Sequence, residues 1–248
     1  MPGFKDHFSK VSAGYAAHRP DYPSALLDFL TEIAPAHGLA LDCGCGSGQL
    51  SALLAARFDS VVATDASAAQ IAAATPHPRV DYRVAPAERS GLADGSADLI
   101  AAAQAAHWFD LGAFYAEVRR VARPGAALAL ISYGLPDMDD EPGMIIDDFY
   151  GRALDPYWPP ERRHIEDSYS SLAFPFVEIA APSLAIERDW ALGEVVGYLD
   201  TWSAVRALEK VAGRAPFDAM AAELALAWGD PETPRRIVWP IAIRAGRI

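Results

Sequence analysis

Short apolar stretches alternate along this chain with stretches in which apolar residues recur every three or four positions. Leu26, Leu27, Leu30 and Ile33 share one helical face within 22–36. Short strands are predicted at about 39–43, 60–65 and 79–84, separated by helical pieces. That alternation is the rhythm of a parallel sheet with helical crossovers. Ala97–Ala103 is apolar apart from Asp98, as expected of a strand buried on both faces. Asp110 is placed to cap a helix whose Leu111, Phe114, Tyr115, Val118 and Val121 share a face, with Arg119 and Arg120 suiting its C-terminal dipole and Pro124-Gly125 stopping it. Residues 126–132 read as a fifth strand, and 184–190 and 236–246 as the last two, with helices at 191–211 and 216–228 between them. The expected fold is α/β: a doubly wound, mainly parallel, seven-stranded sheet.

The texture changes after Tyr133. Residues 134–143 are rich in Pro and Asp, and Pro156, Pro159 and Pro160 interrupt the next stretch. An insertion at 135–180 therefore separates two parts of the sheet domain, 1–134 and 181–248. It carries Phe149, Tyr150, Tyr157, Trp158, Tyr169, Phe174 and Phe176. Aromatic residues in an irregular segment after a strand's carboxyl end suit a lid, because open α/β sheets bind ligands at that edge. They suit a satellite hydrophobic cluster equally well.

The most informative stretch is Ala40-Leu41-Asp42-Cys43-Gly44-Cys45-Gly46-Ser47-Gly48-Gln49-Leu50. An apolar run meets an acid, glycine then occupies every second position, and Leu50, Leu53, Leu54 and Phe58 begin a helical face. Alternating glycines allow a sharp strand-to-helix turn and leave no Cβ against a ligand. Asp65, followed by Ala66, ends the next strand about 20 residues on, where nucleotide-binding βαβ units grip a ribose diol. The dinucleotide fingerprint G-x-G-x-x-G wants a glycine where Gln49 stands, and no Gly-Lys-Ser/Thr tail comes after it as a phosphate loop requires. Asp42 would repel a pyrophosphate but suits a cationic cofactor. S-adenosylmethionine combines adenosine with a sulfonium and an ammonium group and has no phosphate. The alternative is that Asp42 only hydrogen-bonds the turn.

Charge and composition narrow the partners. Of 248 residues 52% are hydrophobic, enough for a sizeable core, and the net charge of -12 argues against nucleic acid as the main partner. No apolar run approaches a membrane span, and the first residues lack an apolar signal core, so a cytoplasmic location is expected. Cys43 and Cys45, the only cysteines, have no second Cys/His pair to complete a zinc site. Their small size accounts for them.

The glycine turn and Asp65 resemble the first two motifs of the class I S-adenosylmethionine-dependent methyltransferases, whose fold is Rossmann-like. Phe8-Ser9, Tyr15, Arg19-Pro20 and Tyr22-Pro23 resemble the opening of the type 11 methyltransferases, which include relatives of trans-aconitate methyltransferase. Residues 103–109, Arg123-Pro124-Gly125, Thr201-Trp202-Ser203, Trp239-Pro240 and Arg244-Ala245-Gly246-Arg247 resemble the same group. The resemblance implies a cofactor site made of Tyr15, Arg19, Asp42, Gly44, Gly46, Gly48, Asp65, Ala66, Glu88 and Gln104. Arg19 would fork onto the cofactor carboxylate with Tyr15 beside it, Glu88 would meet the adenine, and Gln104 the methionine portion. A small-molecule substrate is implied, with O-methylation of a carboxylate the first expectation.

Methyl transfer from a sulfonium is an in-line displacement, so alignment does most of the work. A carboxylate acceptor needs no base, whereas a hydroxyl or amine must shed a proton. His107, after the fourth strand, is either a wall of the acceptor pocket or that base. Arg162-Arg163-His164 could meet an acidic substrate, though a short charge run also reads as a solvated face. The competing functions are a non-catalytic cofactor binder and, against the glycine spacing, a nicotinamide oxidoreductase. Amino-methylating DNA enzymes carry an Asp/Asn/Ser-Pro-Pro-aromatic tetrapeptide where this chain has Gln104-Ala105-Ala106-His107.

Overall fold

The computed structural model describes residues 21–138 and 140–248. The chain enters through α1 (Ser24–Ile33), whose Leu26, Leu27, Leu30 and Ile33 are buried as their spacing requires. It then alternates through β1 (Leu39–Cys43), α2 (Gln49–Leu54), β2 (Ser60–Asp65), α3 (Ala68–Ala72), β3 (Val80–Val84), β4 (Ala97–Ala103), α4 (Leu111–Val121) and β5 (Ala122–Tyr133). β1 pairs in parallel with β2 and β4, β2 with β3, and β4 with β5, so the carboxyl ends of these strands form one edge. α4 opens as expected, with the Ala113 N–H donating to Asp110 at 3.2 Å. It ends at Val121, and β5 begins at Ala122, ahead of Pro124-Gly125.

Asp98, the one acid in the fourth strand's apolar run, is fully buried and ties the sheet's entrance together. It accepts hydrogen bonds from the Gly38 and Leu39 N–H groups, both at 2.9 Å, and from Arg123, also at 2.9 Å. A buried carboxylate satisfied on this scale is stable in place.

Beyond β5 come α5 (Glu141–Asp148), a wide turn at Phe149–Ala153, tight turns at Asp155–Tyr157 and Pro160–Arg162, and α6 (Arg163–Glu166). β6 (Val177–Ile179), β7 (Leu184–Trp190), α7 (Leu192–Asp200), α8 (Ser203–Ala212), α9 (Ala215–Trp228) and β8 (Arg235–Arg247) complete the chain. β8 runs antiparallel to β5, and the sheet order is β3-β2-β1-β4-β5-β8-β6 with β7 also on β8. Among the described residues the sheet thus has eight strands where seven are expected. β6 pairs with Val177↔Arg247 to Ile179↔Ala245 and β7 with Leu184↔Ile241 to Trp190↔Arg235. They occupy successive stretches of one edge of β8, so they share the seventh position. The expected helix at 191–211 is two helices, because the chain turns at Thr201-Trp202, where the Thr201 hydroxyl donates to the Tyr198 carbonyl at 2.6 Å.

Two hydrophobic clusters cover the sheet's faces. One gathers α1, α2 and α7 to α9, with Trp239 at its centre and Ile146, Phe149, Tyr150 and Leu154 joined to it. The other packs under α4 and takes in Ile165, Tyr169 and Leu172. The chain from 155 to 164 therefore passes from one face to the other, and the Pro160–Arg162 turn packs against Ala106–Trp108 just beyond β4. After that passage it is fastened down. Arg244 donates to the Tyr169 and Leu172 carbonyls at 3.0 and 2.6 Å, and the Tyr115 hydroxyl donates to the Ala173 carbonyl at 2.7 Å. Among the described residues, no helix is long and apolar enough to cross a membrane.

Candidate functional site

All three glycines after β1 adopt positive φ, +67° at Gly44, +56° at Gly46 and +91° at Gly48, a region that costs other residues roughly 1–2 kcal/mol. The turn is held by its own backbone: Gly44 and Cys45 donate to the Thr64 carbonyl at 2.7 and 3.0 Å, and Gly48 to Cys45 at 2.9 Å. The glycines differ in what faces them. A Cβ at Gly44 would run into Ala105, and one at Gly48 into the phenol of Tyr82, so these two are small to let protein pack. At Gly46 a Cβ would meet, among the described residues, only the side-chain oxygen of Gln70, at 4.0 Å. The expectation that all three leave ligand space is thus narrowed to Gly46. Cys43 and Cys45 are buried and unpaired, and burial pushes both thiols up, which leaves them inert at neutral pH.

Asp65 closes this cradle from β2. Its two oxygens accept the Gly46 N–H at 2.9 Å and the Ser67 N–H at 2.8 Å. Burial raises its pKa, and those two hydrogen bonds oppose the rise. Ala66 beside it is half-buried. Asp42 lies deeper. It is 1% exposed, accepts the Ser51 hydroxyl at 2.6 Å, and so links β1 to α2 beneath the turn. Burial lifts its carboxyl to about 7, against the Ser51 bond and with the Asp65 charge adding to the rise.

Gln104, one residue past β4, has φ +54°. Its N–H donates to the Ile131 carbonyl and its side-chain amide to that of Tyr133, each at 2.8 Å, so β5 holds the strained residue in place. Glu88 accepts the Asp110 N–H at 2.9 Å, which fixes it at the mouth of α4. Tyr15 and Arg19 lie outside the described residues.

Three buried oxygens around this edge have no hydrogen-bond partner among the described residues: Asp42 Oδ1, Gln70 Oε1 and Gln104 Oε1. Each costs about 1–3 kcal/mol if it stays unpaired. The set consists of acceptors, so it suits a ligand bearing hydroxyls, amines or positive charge and would oppose a pyrophosphate. S-adenosylmethionine fits that description.

On the other side of the Gln104 corner stands His107. Its Nδ1 lies 2.9 Å from the hydroxyl of Tyr169, a residue with no exposed surface, and its ring packs on Trp108 at 4.8 Å between centroids. Burial, with the charges of Arg162 and His164 adding, lowers the His107 pKa to about 3. Next to it a cleft of about 350 Å³ is lined by Trp108, Tyr157, Trp158, Pro159, Glu161 and Ser203, among others. Arg162 lies over the Trp158 ring at 4.9 Å and donates to the Tyr150 hydroxyl at 3.0 Å. It is therefore part of the cleft's structure, and of the Arg162-Arg163-His164 run only Arg163 is fully on the surface.

Sequence reasoning missed Gln70 and Tyr82, and it placed Tyr169 among the insertion's aromatics without pairing it with His107. Gln70 carried a signal, a polar residue in a short Ala-rich helix just after the acid of β2. Tyr82 and the pairing of Tyr169 carried none, since their partners lie far away in the chain.

Comparison with known proteins agrees with this geometry. Residues 41–130 match the family model of the methyltransferase domain. A Dictyostelium discoideum protein with a provisional methyltransferase name is 33% identical over 215 residues, spanning 85% of this chain and 82% of that protein. The malonyl-[acyl-carrier protein] O-methyltransferase of Dechloromonas aromatica is 40% identical over 112 residues, 44% of this chain and 41% of that protein. A solved chain provisionally named a type II methyltransferase, from Anaeromyxobacter dehalogenans, has a TM-score of 0.87 and 54% identity, covering 92% of this chain and 97% of that one. With the sheet order, the glycine turn and the acid of β2 in place, this chain belongs to the class I S-adenosylmethionine-dependent methyltransferases.

Proposed function

We propose that this protein methylates a small molecule held in the cleft between Trp108 and residues 157–161, and that the accepting atom is a carboxylate oxygen. The bound cofactor supplies an activated methyl group on a sulfonium. In this reading Asp65 holds its ribose against Gly46 with Ala66 alongside, and Glu88 meets the adenine. Gln104 meets the methionine portion, Arg19 with Tyr15 binds the carboxylate, and Asp42 supports the turn from below. Residues 135–180 form the cover on the acceptor side.

The observation that carries the reading is the state of His107. With a pKa of about 3 it has little affinity for a proton at neutral pH. Its Nδ1 is also engaged by the Tyr169 hydroxyl. A side chain in that state walls a pocket better than it deprotonates a hydroxyl or amine, for which a pKa near the working pH is needed. An acceptor that is already an anion requires no such base. The charge of Arg162 over Trp158 offsets that of Glu161 in the cleft lining, and the O-methyltransferase name of the Dechloromonas aromatica relative points to an oxygen acceptor. Methyl-labelled S-adenosylmethionine offered with panels of small carboxylic acids, phenols and amines tests this. Label is expected in an alkali-labile ester. Label in an alkali-stable ether or methylamine would overturn the carboxylate assignment.

A further inference from the structure

Gln70 takes part in none of the interactions assigned so far, yet it is 5% exposed and its side-chain oxygen has no partner among the described residues. It sits in the middle of α3, which Ser67 opens by accepting the Gln70 N–H at 3.4 Å. Its side chain turns back toward the glycine turn, so that Oε1 lies 4.0 Å from the position a Gly46 side chain would take. Beyond the turn's own residues, no other described atom comes that close to the position. The Gly46 N–H is bound to Asp65, so the orphaned oxygen and the Asp65 carboxylate flank the same small space.

We infer that Gln70 is a specificity-determining residue for the cofactor's sugar, its carbonyl accepting a hydrogen bond from a ribose hydroxyl that the space beside Gly46 admits. Each Asp65 oxygen already accepts one backbone N–H, so the carboxylate alone faces a diol with part of its capacity committed. A neutral acceptor alongside completes the set without a second negative charge next to Asp65. A buried amide oxygen otherwise gains nothing from its place, since a thioether or alkyl side chain of that length would pack there at no desolvation cost. The inference extends the cofactor site and does not depend on which acceptor is methylated.

The test is calorimetric and needs no turnover. S-adenosylhomocysteine and its 2′-deoxy and 3′-deoxy ribose analogues are titrated into the wild-type protein and into Gln70→Met, which keeps length and removes the acceptor. The variant is expected to bind S-adenosylhomocysteine about five- to tenfold more weakly. With the analogue lacking the hydroxyl in question, wild type and variant should agree within about twofold. Thermal unfolding of the two ligand-free proteins is the control. Removing an unpaired buried oxygen should leave the melting temperature unchanged or higher, whereas a structural amide would lower it. Equal affinity of wild type and variant for S-adenosylhomocysteine would overturn the inference. So would an equal loss for all three ligands, or a variant that unfolds. A wild-type protein that bound none of the three would instead contradict its place among the methyltransferases.

Discussion

The two sides of the Gln104 corner are built on different principles. On the glycine-turn side the shape comes from the backbone: three positive-φ glycines, N–H groups committed to Thr64 and Cys45, and an acid fixed by two more N–H groups. On the aromatic side it comes from side chains: His107 meets Tyr169 and Trp108 shares a cleft with Tyr157 across long chain separations, while Arg162 lies over the nearby Trp158 ring. A backbone cradle tolerates little change in sequence because each of its hydrogen bonds ends on a main-chain group held in one conformation. A wall of side chains can be rebuilt by substitution, which is how one cofactor platform serves many acceptors.

The contrast is sharpest within the glycine turn itself, where the largest effects are expected. Gly46→Val should abolish cofactor binding in a calorimetric titration while leaving a cooperative, folded protein, because the space it fills is open among the described residues and the strained φ is its main cost to the fold. Gly48→Ala should instead cost about 3 kcal/mol or more of stability, combining a strained φ with collision against the Tyr82 ring. Adding Tyr82→Ala to Gly48→Ala should restore part of the loss seen in thermal unfolding. If Gly46→Val loses as much stability as Gly48→Ala and Tyr82→Ala rescues neither, the distinction between the two glycines is wrong.

Asp65→Ala comes next. Loss of a charge-assisted hydrogen bond to the ribose should weaken cofactor binding by about 1.5–3 kcal/mol, roughly ten- to a hundredfold. Affinity equal to wild type would remove Asp65 from the cradle.

Asp42 gives a pH effect whose sign is fixed. Its carboxyl titrates near 7 in the folded protein against an ordinary value of 3.8. Between about pH 4 and 7 the folded state therefore holds a proton that the unfolded state has lost, and stability falls as pH rises through that window, on the order of 1 kcal/mol per pH unit. Asp42→Asn should flatten this slope in denaturant titrations of the ligand-free protein. An unchanged slope would mean that Asp42 is ionised when folded.

The smallest effect is expected on the aromatic side. His107→Gln and Tyr169→Phe should each alter turnover by less than about tenfold, with no pH limb near 6.5 appearing in wild type or disappearing in the variants. A hundredfold loss with unchanged cofactor affinity, and a limb lost with it, would make His107 the general base.

The same contrast governs what the sequence discloses. Strands β1, β2, β4 and β5 were legible because burial on both faces imposes an apolar run, and Asp65 because it ends such a run at a fixed interval from the glycines. That a side chain at Gly48 would collide with Tyr82 was hidden, since Tyr82 arrives from β3 and no local spacing announces it. Tyr169 as the partner of His107 was hidden for the same reason, 62 residues away. β6 is three residues long, with Val177 and Glu178 exposed, and offers no periodicity to read. The turn at Thr201-Trp202 escaped because Tyr198, Leu199, Trp202 and Val205 keep a helical spacing straight across it.

Asp65, tied at both oxygens before any ligand arrives, also bears on how turnover ends. Its rotamer is fixed at folding, so binding does not bear the roughly 0.5–1.5 kcal/mol otherwise lost on immobilising a side chain. Yet the nucleoside it would hold is chemically the same before and after the methyl group leaves. Affinity placed there is shared by donor and spent donor alike, and lowers the energy of both without lowering the barrier between them. A rigid cradle of this kind makes the demethylated nucleoside a competitive inhibitor of its own replacement, so sustained turnover depends on whatever removes that product from solution.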